Sequence, residues 1–289
     1  MSDQPIYLDY AATTPVDLRV LEMMLPYFTE HFGNPASKSH SYGNTAAAAV
    51  ENARDQLATS INARPQEIVF TSGATEAINL AIKGVALANE SKGKHFITVA
   101  TEHKAVLDCF EWLEANGYDI TILPVDKEGM LDPQHVTDAI RPDTVMVSVM
   151  MVNNEIGVIQ DIAAIGKICN ASGVYFMTDA TQALGKETID VKAMHIDLLT
   201  ASSHKIYGPK GVGMLYSSRS NPRVKIEPII HGGGHEKGFR SGTLPTPLIV
   251  GFGEAAKLAC KGMKKEQARI RLFRDELQNE LLSSIHGAS

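Results

Sequence analysis

The sequence predicts an α/β protein built on a mostly parallel sheet with helices on both faces. Two observations carry this. Short strand-like runs alternate with segments of helical period from residue 68 to residue 216, and the runs are almost continuously apolar, as strands buried on both faces are. Length agrees: 289 residues at roughly 150 per domain fit one large domain, or a large one with a smaller companion.

In chain order, Ala46–Ala49 makes a short Ala-rich helix and Ile68–Thr71 a strand. Glu76–Asn89 is a helix with Ile78, Ala81, Ile82 and Val85 on one face. A strand at Phe96–Ala100, a helix at Ala105–Ala115, a strand at Ile120–Val125 and a helix at Pro133–Ile140 follow. Val145–Val152 reads as a strand, Ile162–Ala171 as a helix, and Val174–Thr178, Leu198–Ala201 and Gly213–Tyr216 as strands. The glycine-rich run His231–Gly242 reads as a loop. Beyond it, Pro247 to about Ser284 reads as long helices with Ile270, Phe273, Leu277 and Leu281 at helical spacing, so a boundary falls near Pro245–Pro247.

Composition excludes several classes. Hydrophobic content of 44% and charged content of 21% rule out disordered, collagen-like and coiled-coil chains. With 27 Lys+Arg against 33 Asp+Glu the net charge is −6, which argues against nucleic acid or an anionic membrane as the main partner. Cys109, Cys169 and Cys260 are too scattered for a disulfide framework or a zinc site, and fit a reducing compartment. The N-terminus has neither a basic nor an apolar leader region. The most apolar stretch, Val145–Val152, is far shorter than the roughly 20 residues of a membrane helix. The expected location is the cytoplasm.

Three segments offer chemistry, each with a plainer alternative. In Val69–Glu76 a strand passes through Ser72, Gly73, Ala74 and Thr75 into a helix, whose free amides and dipole suit a phosphate; an ordinary strand–helix turn fits as well. Asp179 follows an apolar strand, where open α/β sheets bind ligands, or it caps the next helix. Lys205, beside Ser202, Ser203 and His204, has the setting for a Schiff base if its pKa is lowered, although a lone lysine is usually a solvated charge. Together, a phosphate cradle, an acid and a lysine at strand ends are the parts that pyridoxal phosphate needs. Asp179 would keep the pyridine nitrogen protonated and Lys205 would hold the aldehyde.

Five further runs sharpen this: Leu8-Asp9-Tyr10-Ala11-Ala12-Thr13-Thr14-Pro15, Thr101-Glu102-His103-Lys104, Val152-Asn153-Asn154-Glu155-Ile156-Gly157, His204–Gly211 and Arg240-Ser241-Gly242-Thr243-Leu244-Pro245. With them the chain, from residue 6 onward, resembles cysteine desulfurases of the iron–sulfur cluster assembly type, in the class V aminotransferase superfamily. The resemblance implies the aspartate-aminotransferase-like fold, with a large domain at residues 15–246 and a partial small domain from 1–14 and 247–289. It implies that Lys205 is the Schiff-base lysine, Asp179 the partner of the pyridine nitrogen, and His103 a ring-stacking proton carrier. Gln182 would bond the phenolic oxygen, and Asn154 would sit beside the ring and near the substrate carboxylate. Ala74, Thr75, Ser202 and His204 would hold the phosphate, and Thr243 would reach the phosphate of the neighbouring subunit's cofactor, which makes a homodimer. The reaction implied turns L-cysteine into L-alanine and passes sulfur, as a persulfide on an enzyme cysteine, to a scaffold protein for iron–sulfur clusters or to RNA thiolation.

The chain departs from the family in one respect: it stops before the loop that carries the sulfur-accepting cysteine and before the arginine that grips the substrate carboxylate. The expectation is therefore cofactor binding without turnover by this chain alone. Cys109 and Cys169 read as core, and Cys260 lacks a setting that activates a thiol. His231 and His235 have no acidic or cysteine partner at ligand spacing, so no metal site is expected. Interleaved acids make Lys257–Arg274 a solvated helix face. The rival readings are another class V enzyme, a selenocysteine lyase or a transaminase, and a non-catalytic dimeric scaffold.

Overall fold

The computed structural model describes residues 5–220 and 223–287; the Met1–Gln4 start read above for a leader lies outside them. Seven strands form one sheet: β1 (Ile68–Thr71), β2 (His95–Val99), β3 (Asp119–Leu123), β4 (Thr144–Ser148), β5 (Tyr175–Asp179), β6 (Leu198–Ser202) and β7 (Gly213–Ser217). Their spatial order is β1-β7-β6-β5-β4-β2-β3, and every pairing is parallel except the two made by β7. Because β7 runs against both neighbours, β1 points the same way as β6. The carboxyl ends of β1, β6, β5, β4 and β2 therefore share one sheet edge, with Gly213 of β7 opposite both Thr71 and Ser202.

The helices are α1 (Leu18–Met24), α2 (Pro26–Thr29), α3 (Ser41–Ser60), α4 (Ala74–Ala88), α5 (Lys104–Ala115), α6 (Pro133–Ala139), α7 (Ile162–Ser172) and α8 (Thr246–Ser284). Successive strand residues face opposite sides, and both sides are covered. Phe96, Met146, Tyr175, Met177, Leu198 and Leu215 pack with α4 and α5. Ile97, Val147, Phe176, Leu199 and Met214 pack with α3, α7 and the first turns of α8.

Ile78, Ala81, Ile82 and Val85 are all buried on α4. Three elements differ from the sequence expectation. The Ala-rich helix extends over twenty residues as α3. β4 ends at Ser148, although the amides of Val149 and Met151 still reach the carbonyls of Met177 and Asp179 at 3.1 and 3.0 Å. The segment after Pro245 is one continuous helix of 39 residues. Its first turns bury Ile249, Val250, Phe252, Ala255 and Ala256, whereas Ile270, Phe273, Leu277 and Leu281 are exposed.

Within the loop 231–242, Glu236 is buried and its carboxylate takes Arg54 at 2.7 and 2.8 Å and the Phe70 amide at 2.8 Å. That pair ties the loop to α3 and β1. Among the described residues no helix is long and apolar enough to cross a membrane.

Candidate active site

A cleft of about 470 Å³ opens at the shared carboxyl edge of the strands. Its first wall is the turn from β1 into α4. Gly73 takes an extended backbone (φ 160°, ψ 177°), and no side chain caps the helix. An uncapped first turn leaves free N–H groups and the positive end of the helix dipole, the makings of an anion site. Glu76 braces the turn from behind. Its carboxylate accepts from the Ser72 amide at 2.9 Å and from Arg240 at 2.8 and 3.3 Å. Burial works against the charge, but these bonds prevail and hold Glu76 below the usual carboxylate range.

Opposite stands the end of β6. Ser202 is buried, and the His204 ring nitrogen Nδ1 lies 3.0 Å from the Thr13 hydroxyl. Burial first, then the charges of Lys205 and Lys210, push His204 below its ordinary range, so it is neutral at physiological pH. Lys205 closes the short 3₁₀ turn Ser203–Lys205, and its Nζ donates to the carbonyls of Ala11 and Ala12, both at 2.7 Å. Burial lowers its pKa against the opposing pull of Asp9, Asp179 and Glu155. The N-terminal segment clamps this turn. Thr14 donates to the His204 carbonyl at 2.8 Å and accepts from the Tyr207 amide at 2.9 Å, and Tyr207 is held at φ 62°, a conformation that costs a non-glycine residue about 1–3 kcal/mol.

The floor is Asp179, the buried last residue of β5. Its Oδ1 accepts from the Thr181 amide at 2.9 Å and the Thr200 hydroxyl at 3.3 Å, so it caps the following turn and faces the cleft as well. His103 caps α5, with Nδ1 accepting from the Ala105 amide at 3.0 Å, which places the proton of the neutral ring on Nε2. Gln182 gives its Nε2 hydrogen to the Ala11 carbonyl at 2.9 Å, and Asn154 gives its own to Glu155 at 2.7 Å.

Ala74, Thr75, His103, Asn154, Asp179, Gln182, Ser202, His204 and Lys205 all line this one cleft. Thr243 does not; it is exposed on the loop before α8. Sequence reasoning assigned no role to Thr200, legible from the two-residue period that puts it on the face of Ser202, or to Glu102. The Glu102 carboxyl is fully buried, facing the Met150 backbone and the Ser148 hydroxyl without a well-formed hydrogen bond to either. Burial, and then the charge of Asp179, raise its pKa well above the ordinary value.

The donor set fits pyridoxal phosphate: an anion site at a free helix start, a buried carboxylate, a lysine with a lowered pKa, and a buried Thr181 hydroxyl with no partner at the cleft. All three thiols are free and suppressed by burial, Cys109 to about 11, Cys169 to about 12, and Cys260 upward.

Comparison with known proteins bears on this geometry. The profile of the aminotransferase class-V family matches residues 6–288. The chain is 59% identical over 271 residues to the cysteine desulfurase IscS of Neisseria meningitidis serogroup C, covering 94% of this chain and 67% of that protein. It is 58% identical over 273 residues to the cysteine desulfurase IscS of Methylococcus capsulatus, covering 94% of this chain and 68% of that protein. It thus spans about two thirds of the length of these curated relatives. Among solved structures, a NifS-like protein superposes with a TM-score of 0.93 at 37% identity, over 97% of this chain and 76% of the other. SspA in complex with cysteine superposes at 0.84 with 45% identity, over 88% and 72%.

Proposed function

The chain belongs to the aminotransferase class-V family, and from that premise we propose that it is a pyridoxal-phosphate enzyme that releases sulfur from L-cysteine and leaves L-alanine. One observation carries the reading: Lys205, Asp179 and the uncapped start of α4 converge on a single cleft. The relatives named cysteine desulfurase, at 58–59% identity, support the choice of amino acid, as does the neighbour solved with cysteine.

When bound, pyridoxal phosphate supplies an aldehyde that condenses with amines and a ring that accepts electrons. The chain supplies the rest. The amides of Ala74 and Thr75, facing Ser202 and His204, hold the phosphate at the helix start. Asp179, fixed by the Thr181 amide and the Thr200 hydroxyl, would pair with the ring nitrogen. Lys205 would hold the aldehyde, and its lowered pKa suits it to move a proton at the substrate Cα. His103, with Nδ1 fixed by its own helix, carries protons on Nε2. Gln182 donates to the phenolic oxygen, and Asn154 binds near the substrate carboxylate. A thiolate must take the sulfur, and three thiols raised by burial are poor candidates, so the acceptor is a thiol other than these.

The reading extends to assembly. Thr243, exposed and outside its own cleft, completes the phosphate site of a second copy in a homodimer. Residues 15–246 act as the large domain, with 1–14 and 247–289 belonging to a small one. Free thiols are consistent with a cytoplasmic enzyme that hands sulfur to an iron–sulfur scaffold protein.

The test is to load the protein with pyridoxal phosphate, reduce it with borohydride and map the adduct by mass spectrometry. An adduct on Lys205 is expected; one on Lys210 or any other lysine overturns the assignment.

A further inference from the structure

Behind the cleft, a second lysine touches the site through one side chain. Gln182 lines the cleft, and its two amide ends have different partners. Nε2 donates to the Ala11 carbonyl at 2.9 Å, and Oε1 accepts from Lys186 Nζ at 2.8 Å. The same Ala11 carbonyl accepts from Lys205 Nζ at 2.7 Å. Lys186, glutamine, carbonyl and Lys205 therefore form one hydrogen-bonded chain.

Lys186 is held in place. Its own carbonyl accepts from Gln267 of α8. The preceding Gly185 sits at φ 70°, where a Cβ would come within 2.6 Å of Ala259, so the turn is pressed against α8.

We infer that Lys186 is a positioning residue, whose ammonium fixes the Gln182 amide with its N–H groups, and not its oxygen, towards Ala11 and the cleft. A glutamine amide has nearly the same shape in both orientations, so shape cannot choose between them. The partners can. Flipped, the amide would set N–H against an ammonium that only donates, and oxygen against the Ala11 carbonyl, which only accepts. This rests on reading the cleft as the cofactor site, where a donor is needed opposite the phenolic oxygen.

The arrangement carries its own pH signature. Burial, and then the charge of Lys205, push Lys186 down to about 8. Lys186 lines an outer cleft with Lys205, Asp17, Arg19, Lys265 and Glu266 and the phenols of Tyr10 and Tyr207, and Glu187 adjoins it through Gln267. Below about pH 8 the ammonium and the Ala11 carbonyl both discriminate between the two amide orientations; above it a neutral amine also accepts, and only the carbonyl still favours one of them.

The experiment follows the Gln182 side-chain amide by NMR in cofactor-free protein labelled with [¹⁵N]glutamine. One sharp amide pair is expected at pH 7, broadening as pH rises through about 8. The K186M variant should show the broadened state at both pH values, and K186R, a donor at every pH used, should stay sharp. A signal indifferent to pH in the unmodified chain, or unchanged in K186M, overturns the inference. The pH arm needs no substitution, so a poorly folded variant does not blunt it. Titration with pyridoxal phosphate is the second arm. In K186M only the Ala11 carbonyl still favours the donor orientation, so the variant should bind more weakly, by at most about twofold. If the amide responds as expected but Q182A binds the cofactor as well as the unmodified chain, the cofactor reading of Gln182 fails while the Lys186 link stands.

Discussion

Gly213→Ala tests how closely the proposed phosphate cradle depends on the strand beneath it. Gly213 begins β7 between Thr71 and Ser202, and a Cβ there would lie 2.6 Å from the Gly73 carbonyl carbon, 2.7 Å from its Cα and 2.7 Å from the Ala201 oxygen. All three are backbone atoms, so no side chain can swing aside. Ordinary contact begins near 3.4 Å, so the turn into α4 must move by about 0.8 Å or the β6–β7 pairing must open. Overpacking of this kind costs about 1–3 kcal/mol, partly offset by the ~0.4–1 kcal/mol that an alanine gains over glycine in the unfolded chain. For 289 residues, a net loss of about 1–2 kcal/mol corresponds to a melting temperature lower by roughly 2–3 °C. Binding should suffer more, because the displaced Gly73 leads directly into Ala74 and Thr75, whose amides are assigned to the phosphate. Losing one hydrogen bond to a charged group costs about 1.5–3 kcal/mol, or roughly ten- to a hundredfold in affinity. The assay is absorbance titration with pyridoxal phosphate alongside a thermal melt. Gly262→Ala is the control, since a Cβ there meets nothing within 4 Å. A G213A protein that melts and binds cofactor like the unmodified chain would refute the packing argument.

Three other substitutions probe separate parts of the reading. Glu102 is raised above its ordinary pKa by burial and by Asp179, so it contributes stability that is present below the unfolded value near 4.5 and lost as pH rises through the folded one. Glu102→Gln should remove that loss, and urea midpoints of the two proteins should diverge as pH climbs from 4.5; parallel curves would contradict a raised Glu102 pKa. Thr243→Ala should weaken cofactor retention about ten- to a hundredfold in the dimer while leaving the fold intact, and sedimentation of a fully loaded monomer would dismiss the shared site. Cys260→Ser should leave alanine release from L-cysteine unchanged with an added thiol acceptor, because the Cys260 thiol is suppressed by burial; a loss of release would make Cys260 the acceptor.

The strands and the face of α4 were legible because burial on both faces demands unbroken apolar runs such as Ile68–Phe70 and Val145–Val147. The reversal of β7 was legible in principle. Only residues 203–212 separate it from β6, too few for the dozen or more of a parallel crossover. The residues lining the cleft could be named because resemblance supplied the motifs; periodicity alone left Lys205 looking like any surface lysine. What stayed hidden depends on contacts across long stretches of chain. Nothing local marks Glu236 as the partner of Arg54, and Lys186 reads as a solvated charge until its turn is seen pressed on α8. Nor does α8 announce where its buried turns give way to exposed ones, since apolar residues continue at helical spacing through Leu281.

The position of β1 has a consequence for how the protein is made. Among the described residues its sheet neighbour is β7, so a strand completed at residue 71 waits for residues 213–217 before it can pair. At a synthesis rate of 5–20 residues per second that wait is ~7–30 s. Throughout it Ile68, Val69 and Phe70, destined to be almost fully buried, have an open edge, the kind of segment that recruits holdases or a second nascent chain. Nascent chains halted between residues 72 and 212 should therefore be cut readily near Ile68–Phe70, and protection there should arrive only with β7.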